Sequence, residues 1–372
     1  MLFEKIFTPG LAHYSYLIGD GGHAAVIDPR RDCQVYLHQA QAAGHRIEFI
    51  LETHRNEDYV VGSRALSQLT GAEVFHADAS LDYDYGQPVR DTQSWKLGTL
   101  ELRALHTPGH TEGAMSYLLE DASGAPWMAF CGDLCFAGDV GRVDLLGPER
   151  MEEMAGKLYD SIFERLLPLG DGVILCPAHG AGSVCGSSIA PRPWTTLGME
   201  RHQNPMLNHV DRDAFVAAVA HAQPRPPYFR QMERLNLDPP SQTDRRWMPP
   251  LDTDTFAHRA AAGLVVDTRP VEAFGGSHIP MSLCLWSGGL ASFAGWFLPY
   301  EKDLFFVTGG ERPDEAAARA EQTLFRLGYD SVGGYLAGGL TEWHITGRPT
   351  ERLKLVSPPE LCRRLDEGEA IQ

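Results

Sequence analysis

Four apolar runs in the first half of the chain end alike. "FILETH", "LHTPGH", "FCGD" and "LCPAH" each read as a strand running out into a polar loop, and they deliver His54, His110, Asp133 and His179. Strand ends converge on one edge of a sheet, so donors far apart in sequence meet there when their strands lie side by side. A lone histidine after a strand more often caps or hydrogen-bonds than ligates. Four such residues in succession, each in a loop with glycine or proline, point instead to a metal site or the descendant of one.

The surrounding pattern is α/β. Up to about residue 185, "YSYLIG", "HAAVIDP", "IEFILETH", "LELRALHTPGH", "PWMAFCGD" and "GVILCPAHG" read as strands entering Gly-rich loops. "CQVYLHQAQAAG" and "ERMEEMAGKLYDSIFERLL" have the apolar spacing of helices. Residues 186 to 250 are richer in proline and arginine; "DRDAFVAAVAHA" reads as a helix, and "QPRPPYF" and "DPPSQTDRRWMPPL" as a closing helix and a linker. A second unit starts at Leu251. "DTFAHRAAAGLVVDTRP" reads as helix then strand, "KDLFFVTGG" as strand, "DEAAARAEQTLFRLG" as helix and "GYLAGGLTEW" as a turn into a last helix. That alternation implies a small parallel sheet. "VSPPELCRRLDEGEAI" then repeats "LDTDTFAHRAAAGLVV" at a constant offset, Phe256 matching Leu361 and Gly263 matching Gly368. The expected units are therefore 1–245, 251–350 and, at 355–372, the start of a truncated second copy of the small domain.

Composition excludes several functions. A chain of 372 residues has room for two or three domains of about 150 residues each. With 32 Lys plus Arg against 49 Asp plus Glu, its net charge of −17 repels phosphate backbones and anionic lipid, so neither nucleic acid nor membrane is an expected partner. No run approaches the roughly 20 apolar residues of a membrane span, and the start lacks the basic and apolar regions of a signal peptide. The seven cysteines are odd in number, scattered and free of any C-x-x-C pair, which fits reduced thiols in a cytoplasmic protein. Each of them reads first as a small buried hydrophobe.

"THRNEDY", "HTPGHTEGAMSY", "CGDLCFAGDVGRVDL" and "CPAHGAGSVCG" together resemble the metallo-β-lactamase fold. More narrowly they resemble its persulfide dioxygenase branch in the bacterial form fused to rhodanese domains, with "TLGMERHQNPML" and "PPYF" similar to the helices closing the first domain. "VVDTRP", "HIP", "GYDSVGGYLAGGLTEW" and "TGRP" resemble a rhodanese domain. The resemblance implies an αββα four-layer sandwich followed by a small α/β rhodanese-like domain. Hydrolases of this fold hold two zinc ions through T-H-x-H-x-D-H; here Asn56 and Tyr59 replace two of those histidines. Persulfide dioxygenases hold one iron with two histidines and one aspartate, and the matching positions, His54, His110 and Asp133, are intact. The substitutions thus spoil a dinuclear zinc site and spare a 2-His-1-carboxylate face suited to ferrous oxygen chemistry.

The resemblance further implies one Fe2+ per chain, with zinc the alternative, and a persulfide of glutathione or coenzyme A type reacting with O2 to give sulfite and thiol. Asp58 and His179 become groups that orient ligands or move a proton. Arg142 is expected either to hold an anionic substrate end or to pair with Asp144, and Tyr59 either to donate into the site or to pack in the core. Pairing of two chains is a further expectation of the fold. In the small domain, Thr308 stands where an active rhodanese carries its cysteine, and Cys284 lies on an earlier strand, expected to be buried. Threonine cannot carry a sulfane sulfur, so this domain reads as inactive. Two other functions compete: a zinc hydrolase of thioesters like glyoxalase II, and a catalytically silent scaffold that binds persulfide or a sulfur-carrier partner.

Overall fold

The computed structural model describes residues 1–241, 247–310, 312–354 and 356–371. The chain divides into two compact units, Met1–Arg245 and Arg246–Leu324 with Tyr329–Gln372, the short stretch Phe325–Gly328 grouping with the first. Residues 242–246 of the expected linker lie outside the described residues.

The first unit holds two six-stranded sheets. In one, the strands run in sequence order from Leu2–Thr8 to Gln87–Pro88; in the other, Ile174–Pro177 sits beside Pro126–Gly132, followed outward by Met115–Glu120, Leu100–His106 and Ser94–Leu97. Side-chain alternation explains the layering. Ile18, Ala25, Leu51, Leu119, Phe130 and Cys176 share the core between the sheets. Their chain neighbours point outward: Leu17, Ala24 and Ile50 pack under the helices Gln34–Ala42 and Ser63–Thr70. Leu118, Ala129 and Leu175 pack under Met154, Leu158 and Phe215 of the helices Met151–Asp160 and Arg212–Val219. A strand that buries both faces exposes neither parity to water, and each fully buried Leu or Phe contributes about 1.5–3 kcal/mol. The result is the αββα sandwich that the resemblance implied.

Two connections differ from the sequence reading. The strand Met115–Glu120 was not expected; it is almost wholly buried, so it lacks the period-two signature of a half-exposed strand. The helix from Met151 continues through a π-turn at Ser161–Leu166 rather than as regular helix.

The second unit is a five-stranded, all-parallel sheet ordered Pro250–Leu251, Val332–Leu336, Leu304–Val307, Leu264–Asp267, Leu283–Cys284. The segment "VGGYL", expected as a turn, is a strand here; its glycines hide the signal, and parallel pairing to Leu304–Phe306 overrides their low strand preference. Phe256, Phe305, Leu336 and Trp343 form its core. Thr308 follows the central strand, is buried, and donates its hydroxyl to the Pro313 carbonyl at 3.4 Å. Cys284 is half-buried on the edge strand rather than buried, because that strand has a neighbour on one side alone. The helix Pro358–Asp366 begins at a Ser357 cap as Thr253–Ala260 begins at Asp252, yet it buries none of its residues whereas Phe256 is enclosed.

Candidate metal centre

Parallel pairing sets the site. Pro126–Gly132 and Ile174–Pro177 run side by side with Gly132 opposite Pro177, so Asp133 and His179 leave the same sheet edge together. The facing sheet delivers His54 after Arg46–Leu51, and the loop after Leu100–His106, a strand of the same sheet as Pro126–Gly132, delivers His110. Gly132 is required at this crossing. Its φ is +54°, and a Cβ there would lie 2.5 Å from Thr53 Oγ1 and 3.3 Å from His54 Nδ1.

Each imidazole is held by its Nδ1. Thr53 donates its backbone N–H to Asp28 Oδ1 and its hydroxyl to Asp28 Oδ2, both at 2.8 Å. Having given up its proton, Thr53 Oγ1 is left to accept from His54 Nδ1 at 2.9 Å. His110 Nδ1 donates to the Arg142 carbonyl at 2.9 Å. Both rings therefore carry their proton on Nδ1 and turn a bare Nε2 inward. Asp133 Oδ2 lies 3.8 Å from His54 Nε2 and 3.6 Å from His110 Nε2. These three atoms are buried, have no hydrogen-bond partner, and fall within 4.8 Å of one another. The other Asp133 oxygen faces His179 Nδ1 at 2.7 Å. Three orphaned donors converging on one point, two imidazoles and a carboxylate, fit a divalent metal ion.

The electrostatics agree. Glu57, Asp58 and Asp133 are each buried with at most 2% of their surface exposed, and an unpaired buried charge costs several kcal/mol. Burial pushes the Glu57 carboxyl up and takes the His54 imidazole down to about 3. Burial also opposes charge on His179, but the Asp133 and Asp58 carboxylates outweigh it and hold that imidazole well above the usual histidine range. Against the same burial, the three histidines keep Asp133 well below the usual carboxylate range. Negative charge gathered in a dry cavity calls for protons or a cation.

Four expected residues thus come together in the first unit: His54, His110, Asp133 and His179. Asp58 joins them, with Oδ2 at 2.9 Å from His179 Nε2 but without hydrogen-bond alignment. Of the two roles expected for each of Arg142 and Tyr59, the structure matches the pairing with Asp144 and the packing in the core, not the contact with substrate or the donation into the site. The Arg142 guanidinium grips Asp144 at 2.7 and 2.8 Å and also donates to the carbonyls of Val184, Gln223 and Pro224, so it has no donor to offer a substrate. Its contribution is the carbonyl that fixes His110. Tyr59 donates to the Asp28 carbonyl at 3.4 Å and packs on His13 at 4.0 Å, behind the donors rather than among them.

Two residues escaped the sequence reading. Glu57 Oε2 lies 3.7 Å from His110 Nε2, and neither oxygen has a hydrogen-bond partner. Cys185 sits within 4.8 Å of the inward atoms of Asp58 and His179. A cleft lined by Arg55, Glu57, Asp78, Thr111, Leu145 and Leu146 opens beside Glu57.

Residues 8–179 match the metallo-beta-lactamase superfamily and residues 252–346 the rhodanese-like domain. The chain is 28% identical over 253 residues to the mitochondrial persulfide dioxygenase ETHE1 of Bos taurus, covering 66% of this chain and 85% of that protein. It is 30% identical over 244 residues to the hydroxyacylglutathione hydrolase of Anaeromyxobacter dehalogenans, covering 60% of this chain and 92% of that protein. A solved metallo-beta-lactamase from Staphylococcus aureus superposes with a TM-score of 0.79 at 30% identity, over 90% of this chain and 98% of the other. Fold and both domain matches agree: the chain belongs to the metallo-β-lactamase superfamily and bears a rhodanese-like domain at residues 252–346.

Proposed function

We propose that this chain oxidises low-molecular-weight thiol persulfides, of glutathione or coenzyme A type, to sulfite and the parent thiol. The observation that carries this reading is the trio of orphaned atoms, His54 Nε2, His110 Nε2 and Asp133 Oδ2. The persulfide dioxygenase relatives support it. In balanced form, R–S–SH, O2 and H2O give R–SH, sulfite and two protons; the sulfane sulfur loses the four electrons that O2 gains. His54, His110 and Asp133 would hold a ferrous ion, which would supply the redox chemistry that joins O2 to a soft sulfur donor.

The chain's own groups prepare that meeting. Thr53 and Asp28 hold the His54 ring, the Arg142 carbonyl holds His110, and His179 turns the Asp133 carboxylate so that one oxygen faces inward. Burial of every donor excludes bulk water and strengthens each charge interaction. Glu57 is placed to hold a proton beside His110. Arg55 lines the cleft, 3.4 Å from Glu233 and 3.8 Å from Glu57, and an anionic thiol carrier would compete with those carboxylates for its charge. The free cysteines among the described residues and the absence there of any helix long and apolar enough to cross a membrane support a cytoplasmic setting. The small domain, with Thr308 in the cysteine's place, serves packing or docking rather than sulfur transfer.

A second reading, zinc-dependent hydrolysis of glutathione thioesters, draws on the hydroxyacylglutathione hydrolase relatives. Parallel assays separate the two. Iron-loaded protein should consume O2 and release sulfite from glutathione persulfide, and should leave S-lactoylglutathione intact. Thioester cleavage by the zinc form without O2 uptake would establish the hydrolase, and silence in both assays the scaffold.

A further inference from the structure

Two side chains of the cleft beside His110 have charged ends with too little to hold. Glu57 is 1% exposed, and neither of its carboxylate oxygens has a hydrogen-bond partner. Arg55 has a buried Nε without a partner, and its Nη2 lies 3.8 Å from Glu57 Oε1 and 3.4 Å from Glu233 Oε1, both longer than an ordinary hydrogen bond. The other acids around the cleft are engaged. Asp78 accepts from the backbone N–H groups of Arg55 and Gly113 and from the Thr111 hydroxyl. Glu112 pairs with Arg150 and Lys157, and Glu233 accepts from Arg225. A buried carboxylate beside a half-satisfied guanidinium is costly unless a ligand meets both.

A purely anionic ligand takes Arg55 only by competing with Glu57 and Glu233. A zwitterion does not compete: its carboxylate pairs with Arg55 while its ammonium gives Glu57 a new cation, and charge-assisted hydrogen bonds replace a long ion pair. Glu57 Oε2 is 3.7 Å from His110 Nε2, so an ammonium held by Glu57 stands beside the metal donors, and the carbon that bears it lies close to the reacting sulfur. Cysteine persulfide has that shape, with ammonium and carboxylate on the carbon next to the sulfur-bearing one. In glutathione persulfide both groups of that carbon are tied up in peptide bonds, and the remaining zwitterion lies at the far end of the γ-glutamyl arm. We propose that Arg55 and Glu57 bind the α-carboxylate and α-ammonium of a free amino-acid persulfide of the cysteine type, and so set which persulfide the chain prefers, glutathione persulfide being a slower substrate. The sulfur end rests on the persulfide chemistry proposed above; the zwitterion site does not.

S-methyl-L-cysteine has the shape of cysteine persulfide, with a methyl group in place of the terminal sulfur. Titration calorimetry of the iron-loaded, full-length chain without O2 should show it binding at least about tenfold more tightly than N-acetyl-S-methyl-L-cysteine, which lacks the ammonium, and than S-methylglutathione. Tenfold is the low end of what one hydrogen bond to a charged group is worth. Glu57→Gln should bring S-methyl-L-cysteine and its N-acetyl form to near-equal affinity. Arg55→Gln should weaken both by a similar factor, since both keep the carboxylate. The wild-type series needs no variant to fold. Equal affinities in the wild type, tighter binding of S-methylglutathione, no binding of any of the three, or a preference undiminished in Glu57→Gln would overturn the assignment. The series uses neither O2 nor persulfide. The preference without O2 uptake from any persulfide would remove the dioxygenase reading and keep this site; O2 uptake without the preference would do the reverse.

Discussion

Replacing Thr53 with valine tests whether the His54 ring is aimed by its neighbours. Valine keeps the branched shape and removes the hydroxyl. The backbone N–H of residue 53 still reaches Asp28 Oδ1 at 2.8 Å, so the loop keeps its anchor. Two bonds vanish: the hydroxyl to Asp28 Oδ2 at 2.8 Å, and His54 Nδ1 to the hydroxyl at 2.9 Å. A hydrogen bond to a charged group is worth about 1.5–3 kcal/mol, and that much stability should be lost in urea unfolding. The second consequence concerns the metal. With no acceptor at Nδ1 the imidazole is free to carry its proton on Nε2, the atom that must ligate. Loss of such a partner lowers affinity by about 10–100-fold, or about 1.4–2.7 kcal/mol. Competition with a chromophoric chelator measures this, and Thr53→Ser, which restores the hydroxyl, should restore the affinity. Unchanged affinity in Thr53→Val alongside reduced stability would refute the reasoning: the hydroxyl would then prop the loop without orienting the ring.

Other outcomes follow from the same geometry. Gly132→Ala places a Cβ 2.5 Å from Thr53 Oγ1 in a left-handed backbone, and should reduce stability by at least about 2 kcal/mol in urea unfolding while weakening metal binding. In the native protein Cys362 and Cys284 should react with a thiol reagent ahead of the rest, because Cys33, Cys131, Cys135, Cys176 and Cys185 are buried; rapid reaction of the buried ones would contradict the packing. Burial pushes the Cys33 and Cys176 thiols up to about 12, which slows them further. With thiosulfate and cyanide the full chain should form no thiocyanate above background, since Thr308 ends the central strand of the small domain; sustained turnover would overturn its assignment as inactive.

The sandwich and the main donors were legible because they rest on strong local signals. Strands ending in Gly- and Pro-rich loops announced the sheet edge, and His54, His110, Asp133 and His179 each sit directly at one. Buried elements were harder. Met115–Glu120 is buried on both faces, and "VGGYL" pairs despite its glycines, so neither reads as a half-exposed strand. Cys185 lies in a loop beyond His179, where a lone cysteine looks like any small buried hydrophobe; its one signal is its place in the "HGAGSVCG" stretch after that histidine. Glu57 occupies a variable position of the motif. For Arg142 the sequence left two roles open, substrate contact or pairing with Asp144, and only the fold brings up the three carbonyls that occupy its remaining donors.

The most direct measurement is anaerobic iron loading of the wild type and of His110→Ala, followed by O2 uptake with glutathione persulfide. The wild type should retain iron and consume O2 with matching sulfite release. His110→Ala should lose that iron and slow by more than about a hundredfold, because one of three ligands is gone. Equal rates in the two proteins would contradict a catalytic iron bound by His110.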